Sequence, residues 1–338
     1  MEPTPLIVIG ASAGGVGALL SLARGLQEPL AAPVLVVLHI GAQRSDFPAL
    51  WNAAGVMPAK HGRDGEKICS GQVYVAPPDR HMLVVDGHIR LTRGPKENWA
   101  RPAIDPLFRS AAEAYGPNVI GVILTGRLND GTAGLYEIKR RGGVAVVQDP
   151  EDAANPEMPR SAARHIDVDY CVSLDEMPAL LSRLVAERIR AEPVVLVQRS
   201  PEKGREMIDA KTLDRPLTVT CPDCGGALRR GELGGLIKYD CHIGHTYTAE
   251  TLAEVQFEQM ERVMRAAERI LNERAEFCRQ MAERSEDGRS PGGVALWRAA
   301  SKEAEDRAYR MRDFVEQDWI KPELDDGAGA ASEQAKLQ

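Results

Sequence analysis

Short runs of valine, isoleucine and leucine alternate with helical patterns from Pro5 to about Ile189. The apolar runs predict strands at Leu6–Ile9, Val34–His39, Val119–Thr125, Val144–Gln148 and Val168–Val172. The helical patterns lie near Gly15–Leu26, Pro106–Tyr115, Gly131–Arg141 and Asp175–Ile189. Alternation of this kind is typical of parallel strands joined by crossover helices. Residues 1–190 are therefore predicted to form an α/β domain with a doubly wound, mostly parallel sheet.

One stretch of this domain departs from the alternation. Three short apolar runs, Val73–Val75, Met82–Val85 and Ile89–Leu91, lie close together in the chain. Asp86-Gly87 between the last two runs is a two-residue hairpin signal. The sheet is therefore predicted to carry an antiparallel hairpin.

The second half of the chain predicts smaller units. Residues 191–216 contain scattered proline and charged residues without a sustained period, which predicts a linker, and a cysteine-containing module follows at 217–247. Apolar positions then recur at helical spacing on both sides of Ser290-Pro291-Gly292-Gly293, which predicts a helical hairpin at 248–322. The small and polar residues 323–338 predict a disordered tail.

The predicted helical hairpin carries a wider apolar stripe than two helices alone can bury. The stripe includes Trp297, Phe314 and Trp319. It could form a homodimer, pack on the first domain as a regulatory cover, or dock on the helical bundle of a receptor. It could also complete a small core around the cysteine-containing module. The sequence leaves these alternatives open.

Composition narrows the class of protein. With 43% hydrophobic and 27% charged residues, the chain is ordinary for a globular protein, and its 338 residues can bury a sizeable core. Its start lacks a basic stretch followed by a long apolar segment, and no run of 18 apolar residues occurs. A cytoplasmic protein without membrane insertion is therefore predicted. The net charge of -7 argues against a broad nucleic-acid-binding surface.

Three of the six cysteines form a pattern with a histidine: Cys221-x2-Cys224, sixteen further residues, then Cys241-x3-His245. Two ligand pairs on tight turns, separated by a glycine-rich ribbon, can close a tetrahedral site, so we predict a zinc ribbon with these four ligands. Four protein ligands leave no position for water, so this zinc would be structural and catalysis would need no cofactor. His242 is the competing fourth ligand, although its spacing is too tight for the usual turn. The alternative is an empty or oxidised cysteine pair, which a reducing cytoplasm disfavours.

Three polar residues close apolar segments that lie far apart in the chain: Ser12, His39 and Asp130. If those segments are neighbouring strands of one sheet, the three side chains converge at its edge. A serine hydroxyl attacks a carbonyl when a base takes its proton, a carboxylate orients that base, and amide N–H groups stabilise the oxyanion. Ser12 lies in a glycine-rich turn that begins a helix, where free amides are available. The pattern therefore favours a serine hydrolase.

Each of these residues also has another interpretation. Glycine-rich turns between a strand and a helix often bind nucleotide phosphates, but Gly10-x-Ser12-x-x-Gly15 puts serine where the dinucleotide motif needs its second glycine. A histidine that ends a strand is often a structural hydrogen-bonding residue, and Asp130 in Asn129-Asp130-Gly131 could cap the helix that follows. The chain order of serine, histidine and aspartate does not by itself establish a triad.

Six blocks over roughly residues 5–185 carry a more specific signal. They are, in order, Gly10-Ala11-Ser12-Ala13-Gly14-Gly15, His39, Tyr74-Val75-Ala76-Pro77-Pro78-Asp79-Arg80-His81, Arg101-Pro102-Ala103-Ile104-Asp105-Pro106-Leu107-Phe108, Leu124-Thr125-Gly126 with Asp130-Gly131, and Gln148-Asp149-Pro150 with Met158-Pro159. Together these blocks resemble the catalytic domain of the chemotaxis protein-glutamate methylesterase family.

The resemblance implies a role for each candidate residue. It implies that Ser12 is the nucleophile, His39 the general base and acid, and Asp130 the orienting carboxylate. It also implies an oxyanion hole from backbone N–H groups, which we expect at Ala13 and Arg127. Members of the family remove methyl groups from glutamate esters on chemoreceptor helices, with release of methanol, and can deamidate glutamines there. The expected partner is therefore a methylated chemoreceptor or a related signalling protein.

The sequence departs from the family pattern at several positions. Ala13 replaces the usual threonine, which matters little if only its amide is used, and Arg127 replaces a residue that is typically methionine. Well-known members carry a phosphorylatable receiver domain before the catalytic domain, whereas only about ten residues precede the Ser12 turn here. Control by phosphorylation within the chain is therefore not expected. The alternative to an enzyme is a catalytically silent scaffold protein of the same fold.

Overall fold

The computed structural model describes residues 5–40, 45–190, 219–287, 291–317 and 319. The chain divides into two compact units, Met1–Leu252 and Ala253–Gln338. The predicted linker 191–216 and the predicted tail 323–338 lie outside the described residues.

A parallel sheet forms the centre of the first unit. The strands of this part of the chain are β1 (Leu6–Ala11), β2 (Val34–Leu38), β3 (Ala59–His61), β4 (Val73–Val75), β5 (His81–Val85), β6 (His88–Thr92), β7 (Val119–Ile123), β8 (Val144–Gln148) and β9 (Tyr170–Val172). The helices are α1 (Gly15–Gly25), α2 (Phe47–Ala54), α3 (Ile104–Tyr115), α4 (Thr132–Arg140), α5 (Glu157–His165) and α6 (Met177–Arg190). The sheet has the order β3-β4-β2-β1-β7-β8-β9, and each of its strand pairs is parallel. The predicted α/β class is confirmed.

Alternate side chains of each central strand pack into two cores, one on each face of the sheet. Ile7 and Ile9 of β1 pack in the core that contains residues of α1, α2 and α6. Leu6 and Val8 of the same strand pack in the core that contains residues of α3, α4 and α5. Because helices cover both faces, every position of such a strand is buried, which explains the continuous apolar runs in the sequence. The doubly wound arrangement is thus also confirmed.

The predicted antiparallel hairpin is present, but it does not belong to the main sheet. Strands β5 and β6 pair with each other as a separate two-stranded sheet, and His88 of β6 also forms an isolated antiparallel bridge with Lys67. Asp86 and Gly87 join them with φ values of 49° and 75°, the left-handed conformation that a tight two-residue hairpin requires. The apolar side of the hairpin, with Met82 and Val84, packs in the core of α3 and α4. The neighbouring run Val73–Val75 instead forms β4 of the parallel sheet.

The sequence patterns do not predict β3, α2 or α5. Strand β3 has only three residues, too few to show a period, and α2 and α5 are short helices with proline in their first turn. Their burial depends on neighbours far away in the chain. Helix α2, for example, buries only Phe47 and Trp51.

The cysteine module, residues 219–248, also belongs to the first unit. Its strands β10 (Leu228–Leu233), β11 (Leu236–Cys241) and β12 (Thr246–Thr248) form an antiparallel sheet in that order. Its core is small, and the buried members of this core are Cys221, Leu228, Cys241 and Tyr247 of the module together with Leu252 of the helix that follows. A core of this size needs further stabilisation, such as a bound metal ion or contacts with a neighbouring domain.

Two long helices follow the module, α7 (Ala249–Asp287) and α8 (Pro291–Glu316). Within the second unit, the hydroxyl of Ser301 donates to the carbonyl of Ala275 at 2.8 Å, and the rings of Phe277 and Trp297 meet edge to face with centroids 6.1 Å apart. The predicted helical hairpin is confirmed. A homodimer through these helices stays a prediction. Within the described ranges, no helix combines the length and the apolar character needed to cross a membrane.

Candidate active site and metal cluster

The three residues that the sequence suggests for catalysis lie at one edge of the parallel sheet. Ser12 follows β1, His39 follows β2, and Asp130 lies in the loop after β7. These strands are neighbours in the order β2-β1-β7, and their parallel register brings their carboxyl ends to the same edge. The order of the connections reverses at β1. Such switch points are where open α/β sheets bind ligands.

Ser12 lies in a tight turn between β1 and α1. Its N–H donates to the carbonyl of Thr125 at 3.0 Å, and its carbonyl accepts from the N–H of Gly15 at 2.8 Å. Gly14 has a φ of 78°, a left-handed conformation that glycine adopts without steric cost. The position of Ser12 is therefore fixed from two sides, by the loop after β7 and by the helix that the turn begins.

The imidazole of His39 connects the other two side chains. Its Nδ1 lies 3.2 Å from the Oγ of Ser12, and its Nε2 lies 2.9 Å from Oδ2 of Asp130. In chymotrypsin-like proteases the nitrogens have the opposite roles, because Nε2 faces the serine. The His39 side chain is 19% exposed, against 3% for Asp130, so solvent reaches the histidine but not the carboxylate.

The buried carboxylate of Asp130 is surrounded by hydrogen-bond donors. Besides His39, these donors are the N–H of Ile104 at 2.6 Å from Oδ2, and Nδ2 of Asn98 at 2.9 Å, the N–H of Gly131 at 3.0 Å and the N–H of Asp105 at 3.3 Å from Oδ1. Burial raises the pKa of Asp130, but the hydrogen bonds from His39, Ile104 and Asn98 outweigh burial and leave that pKa below its usual value. Asp130 is therefore held as a carboxylate that accepts from the imidazole.

Asn98 and Asp105 complete this buried network. The side-chain amide of Asn98 lies between the two carboxylates, with Nδ2 at 3.0 Å from Oδ2 of Asp105 and 2.9 Å from Oδ1 of Asp130. Burial, together with the charge of Asp130, raises the pKa of Asp105 to about 6. Asp105 belongs to one of the six sequence blocks, so a signal for it existed. Asn98 lies outside all six blocks, and no motif in the sequence identifies it.

The two expected oxyanion-hole residues lie next to the serine turn and in the loop after β7. Among the described residues, no hydrogen bond uses the N–H of Ala13, although its carbonyl accepts from the hydroxyl of Thr125 at 3.0 Å. Arg127 has an exposed side chain whose Nε lies 4.0 Å from Oε1 of Glu157. The available N–H of Ala13 is compatible with the expected role, which stays a prediction for both residues.

Gly126 packs so closely against Ser12 that the site has no space for a side chain there. A Cβ on Gly126 would overlap Sδ of Met158 and lie 2.8 Å from Cβ of Ser12. We expect Gly126→Ala to lower the free energy of unfolding by about 1–3 kcal/mol, because overpacking displaces backbone. If Ser12 is the nucleophile that the sequence predicts, its displacement should lower the rate of ester hydrolysis by about 10²-fold. Chemical denaturation and hydrolysis of a chromogenic ester measure the two effects.

Gly17→Ala is the matched control for this substitution. A Cβ on Gly17 meets no atom within 4 Å, and the residue lies inside α1, where alanine is favoured over glycine. We expect this variant to be as stable as the parent or more so, with unchanged turnover. Equal stability and equal turnover of Gly126→Ala and Gly17→Ala would show that the site tolerates a methyl group beside Ser12.

A second cluster of candidate functional side chains lies in the cysteine module. Cys221, Cys224, Cys241 and His245 each offer one ligand atom, and these four atoms all lie within 4.8 Å of one another. Nδ1 of His245 lies 3.6 Å from Sγ of Cys221 and 3.4 Å from Sγ of Cys241. The cluster could therefore hold a metal ion. The competing residue His242 is not part of it, and its ring lies against Gly226.

A family model described as CheB methylesterase matches residues 7–181. A Leptospira interrogans protein with the provisional name protein-glutamate methylesterase/protein-glutamine glutaminase is 44% identical over 182 residues, which are 53% of this chain and 93% of that protein. Protein-glutamate methylesterase/protein-glutamine glutaminase 2 of Anaeromyxobacter dehalogenans is 38% identical over 180 residues, which are 53% of each protein. This chain thus spans about half the length of the latter relative.

A solved structure matches the same part of the chain. The crystal structure of the Thermotoga maritima CheB methylesterase catalytic domain is 32% identical, with a TM-score of 0.51, and the match covers 53% of this chain and 98% of that one. The family-model match ends at residue 181, before the cysteine module.

Proposed function

The chain belongs to the CheB methylesterase family, and on this basis we propose that it is a serine esterase of protein substrates. It hydrolyses glutamate 5-O-methyl esters on methylated chemoreceptors or related signalling proteins and releases methanol. The observation that carries the proposal is the hydrogen-bonded chain from Ser12 through His39 to Asp130, with distances of 3.2 and 2.9 Å. Its location at the ends of three adjacent strands leaves His39 partly exposed to a substrate.

The first half of the reaction forms an acyl-enzyme. Nδ1 of His39 takes the proton of the Ser12 hydroxyl while Oγ attacks the ester carbonyl carbon. Asp130 accepts a hydrogen bond from Nε2–H and stabilises the imidazolium. The N–H groups of Ala13 and Arg127 are the proposed donors to the oxyanion. When the carbon–oxygen bond to the methoxy group breaks, Nδ1–H protonates that oxygen, and methanol leaves.

The second half releases the product. A water molecule takes the place of methanol, and His39 removes its proton as the water oxygen attacks the acyl carbon. The bond to Ser12 Oγ breaks, Ser12 regains its proton from the imidazolium, and the glutamate carboxylate is released. If the substrate is a glutamine side chain, the same steps release ammonia in place of methanol. The relatives' names include glutaminase, so we extend the proposal to this deamidation.

The metal cluster has a separate role in this proposal. Three thiolates and one imidazole are the donor set that zinc prefers, so we propose zinc at Cys221, Cys224, Cys241 and His245. Four protein ligands leave no position for water or substrate. The zinc would crosslink the cysteine module, and none of the ester-hydrolysis steps uses it.

Methanol release from a methylated chemoreceptor signalling fragment tests the function. We expect release with the methylated fragment and none with the same fragment in its unmethylated form. A parallel assay for ammonia with the glutamine form of the fragment tests deamidation. If the folded protein releases no methanol although a family esterase releases it from the same preparation, the proposed substrate is wrong, and a scaffold function gains support.

A further inference from the structure

The cysteine module contacts the candidate active site through two buried asparagines, Asn98 and Asn129. We propose that both are positioning residues through which the module holds Asp130, so that metal binding at the cysteine cluster determines the reactivity of Ser12. The inference rests on the proposed function, because it assigns regulation to the same site. It assigns a function to the module, which lies outside the residues that the family model matches.

Both polar atoms of the Asn98 side chain form hydrogen bonds, and together they join the catalytic domain to the cysteine module. On the catalytic side, its Nδ2 donates to Asp130 and Asp105. On the module side, its Oδ1 accepts from the N–H of Thr248 at 3.2 Å, and its backbone N–H donates to the carbonyl of Thr246 at 2.7 Å. Asn98 is only 6% exposed, so water does not readily replace these partners. Strand β12 thus sets the orientation of the amide that faces Asp130.

Asn129, the residue before Asp130, makes the second connection. Its Oδ1 accepts from the hydroxyls of Thr248 at 2.7 Å and Thr251 at 3.1 Å, and its Nδ2 donates to Oε2 of Glu250 at 2.7 Å. Asn129 is 2% exposed, and both threonines are fully buried. The loop that carries Asp130 is therefore tied to the end of β12 and the first turn of α7.

The partners of both asparagines lie in the segment from Thr246 to Thr251, which follows the cluster residue His245 in the chain. Strand β12 begins at Thr246, next to His245, whose carbonyl accepts from the N–H of Cys241 at 2.9 Å. Two of the five buried residues in the small module core are cluster cysteines. Apart from the cluster, hydrogen bonds within the module hold the turn between β11 and β12, such as the pairing of these strands and the bond from the Thr246 hydroxyl to Oδ1 of Asp240 at 2.7 Å. Binding energy is folding energy in modules of this size, so these bonds weaken when the module loses its metal. Loss of the metal should therefore release Thr246 and Thr248.

The expected effect is partial, because Asp130 keeps other donors. The N–H groups of Ile104 and Gly131 belong to the catalytic domain and do not depend on the module. Loss of a buried hydrogen bond to a charged group should slow the reaction of Ser12 by about 10- to 100-fold.

The first test is a cycle of four full-length samples. Parent and Asn98→Gly are each compared with bound zinc and after removal by a chelator, and the readout is the second-order rate of Ser12 labelling by a fluorophosphonate. Asn98 is replaced by glycine and not by alanine because its φ is 48°, where alanine would add backbone strain. We expect zinc removal to slow the parent about 10- to 100-fold and Asn98→Gly much less. If zinc removal slows labelling by the same factor in both proteins, or does not slow it in the parent, the proposal is overturned.

The pH profile separates positioning from general loss of structure. Asp130 is faced by His39, Asn98 and the carboxyl of Asp105. With zinc bound, Asn98→Gly removes the neutral donor that favours the ionised form of Asp130 and leaves Asp105 beside it, so the acid limb of the labelling rate should move to higher pH. A lower rate with an unmoved acid limb would mean that Asn98 only supports the fold.

Amide hydrogen exchange tests the connection without any reaction of Ser12. The N–H of Asn98 donates to the carbonyl of Thr246, and the N–H of Thr248 donates to Oδ1 of Asn98. The exchange of both amides should accelerate on zinc removal, and that of Thr248 also in Asn98→Gly, while the amides of β1 stay protected. If Ser12 is not labelled in the parent, the proposed function fails, yet this measurement still decides the connection. Unchanged exchange at Asn98 and Thr248, or equal acceleration at β1, would overturn it.

Two cysteine substitutions complete the design. Cys241→Ser removes a cluster ligand and should reproduce the zinc-free parent in both rate and exchange. Cys69→Ser replaces an exposed cysteine outside the cluster and should keep zinc, labelling rate and exchange unchanged. A zinc-loaded Cys69→Ser protein that behaves like Cys241→Ser would overturn the assignment to the cluster.

Discussion

Ser12→Ala should reduce methanol release from a methylated receptor fragment by at least about 10⁴-fold. The substitution removes the attacking oxygen and leaves the backbone turn in place, because the bonds from Ser12 N–H to Thr125 and from Gly15 to the Ser12 carbonyl use only main-chain atoms. We therefore expect an unchanged unfolding temperature together with the loss of turnover. Methanol release and thermal denaturation of the same preparation measure both quantities.

Ser70→Ala is a suitable control for this loss. Ser70 is exposed, and its hydroxyl donates to the carbonyl of Ala31, far in the chain from the three catalytic candidates. The control should keep full turnover and full fluorophosphonate labelling, whereas Ser12→Ala should lose both. Retention of labelling in Ser12→Ala would identify another nucleophile and contradict the proposed mechanism.

The sequence reveals the three candidate catalytic residues more fully than the residues that hold them in place. Ser12 and His39 directly follow apolar strand segments, and parallel strands bring such positions to one sheet edge, so local patterns suffice to suggest that they meet. Asp130 lies beyond the end of β7, and its distance from His39 depends on the conformation of the loop that joins β7 to Asp130. For Asp130 the resemblance to a known family added information that periodicity alone lacks.

Sequence patterns do not identify Asn98, because its partners lie far away in the chain. Its partner Asp130 is 32 residues away in the chain, and Thr248 is 150 residues away. No local period reports contacts between such distant residues, and a single asparagine in a loop has many interpretations. The hairpin β5–β6 shows the same limit on a larger scale. The Asp86-Gly87 turn predicted the hairpin itself, but the choice between the main sheet and a separate one depends on packing against α3.

Asp130→Asn should lower the rate of Ser12 labelling and of ester hydrolysis by about 10⁴-fold with little change in shape. The hydrogen-bond donors around the carboxylate explain the size of the effect. Oδ1 faces donors from Asn98, Gly131 and Asp105, so the amide oxygen of an introduced asparagine is favoured at that position. Its NH₂ group then occupies the position of Oδ2, where it points at His39 and leaves the N–H of Ile104 without an acceptor.

An amide donor at that position reverses the protonation of the ring. Nε2 of His39 must then accept a hydrogen bond, so its proton moves to Nδ1, the nitrogen that faces Ser12 at 3.2 Å. A protonated Nδ1 cannot remove the serine proton. Nitrogen-15 NMR of the His39 ring should therefore show the Nε2–H tautomer in the parent and the Nδ1–H tautomer in Asp130→Asn. A variant that keeps the Nε2–H tautomer and the parental rate would contradict the role of Asp130 as the orienting carboxylate.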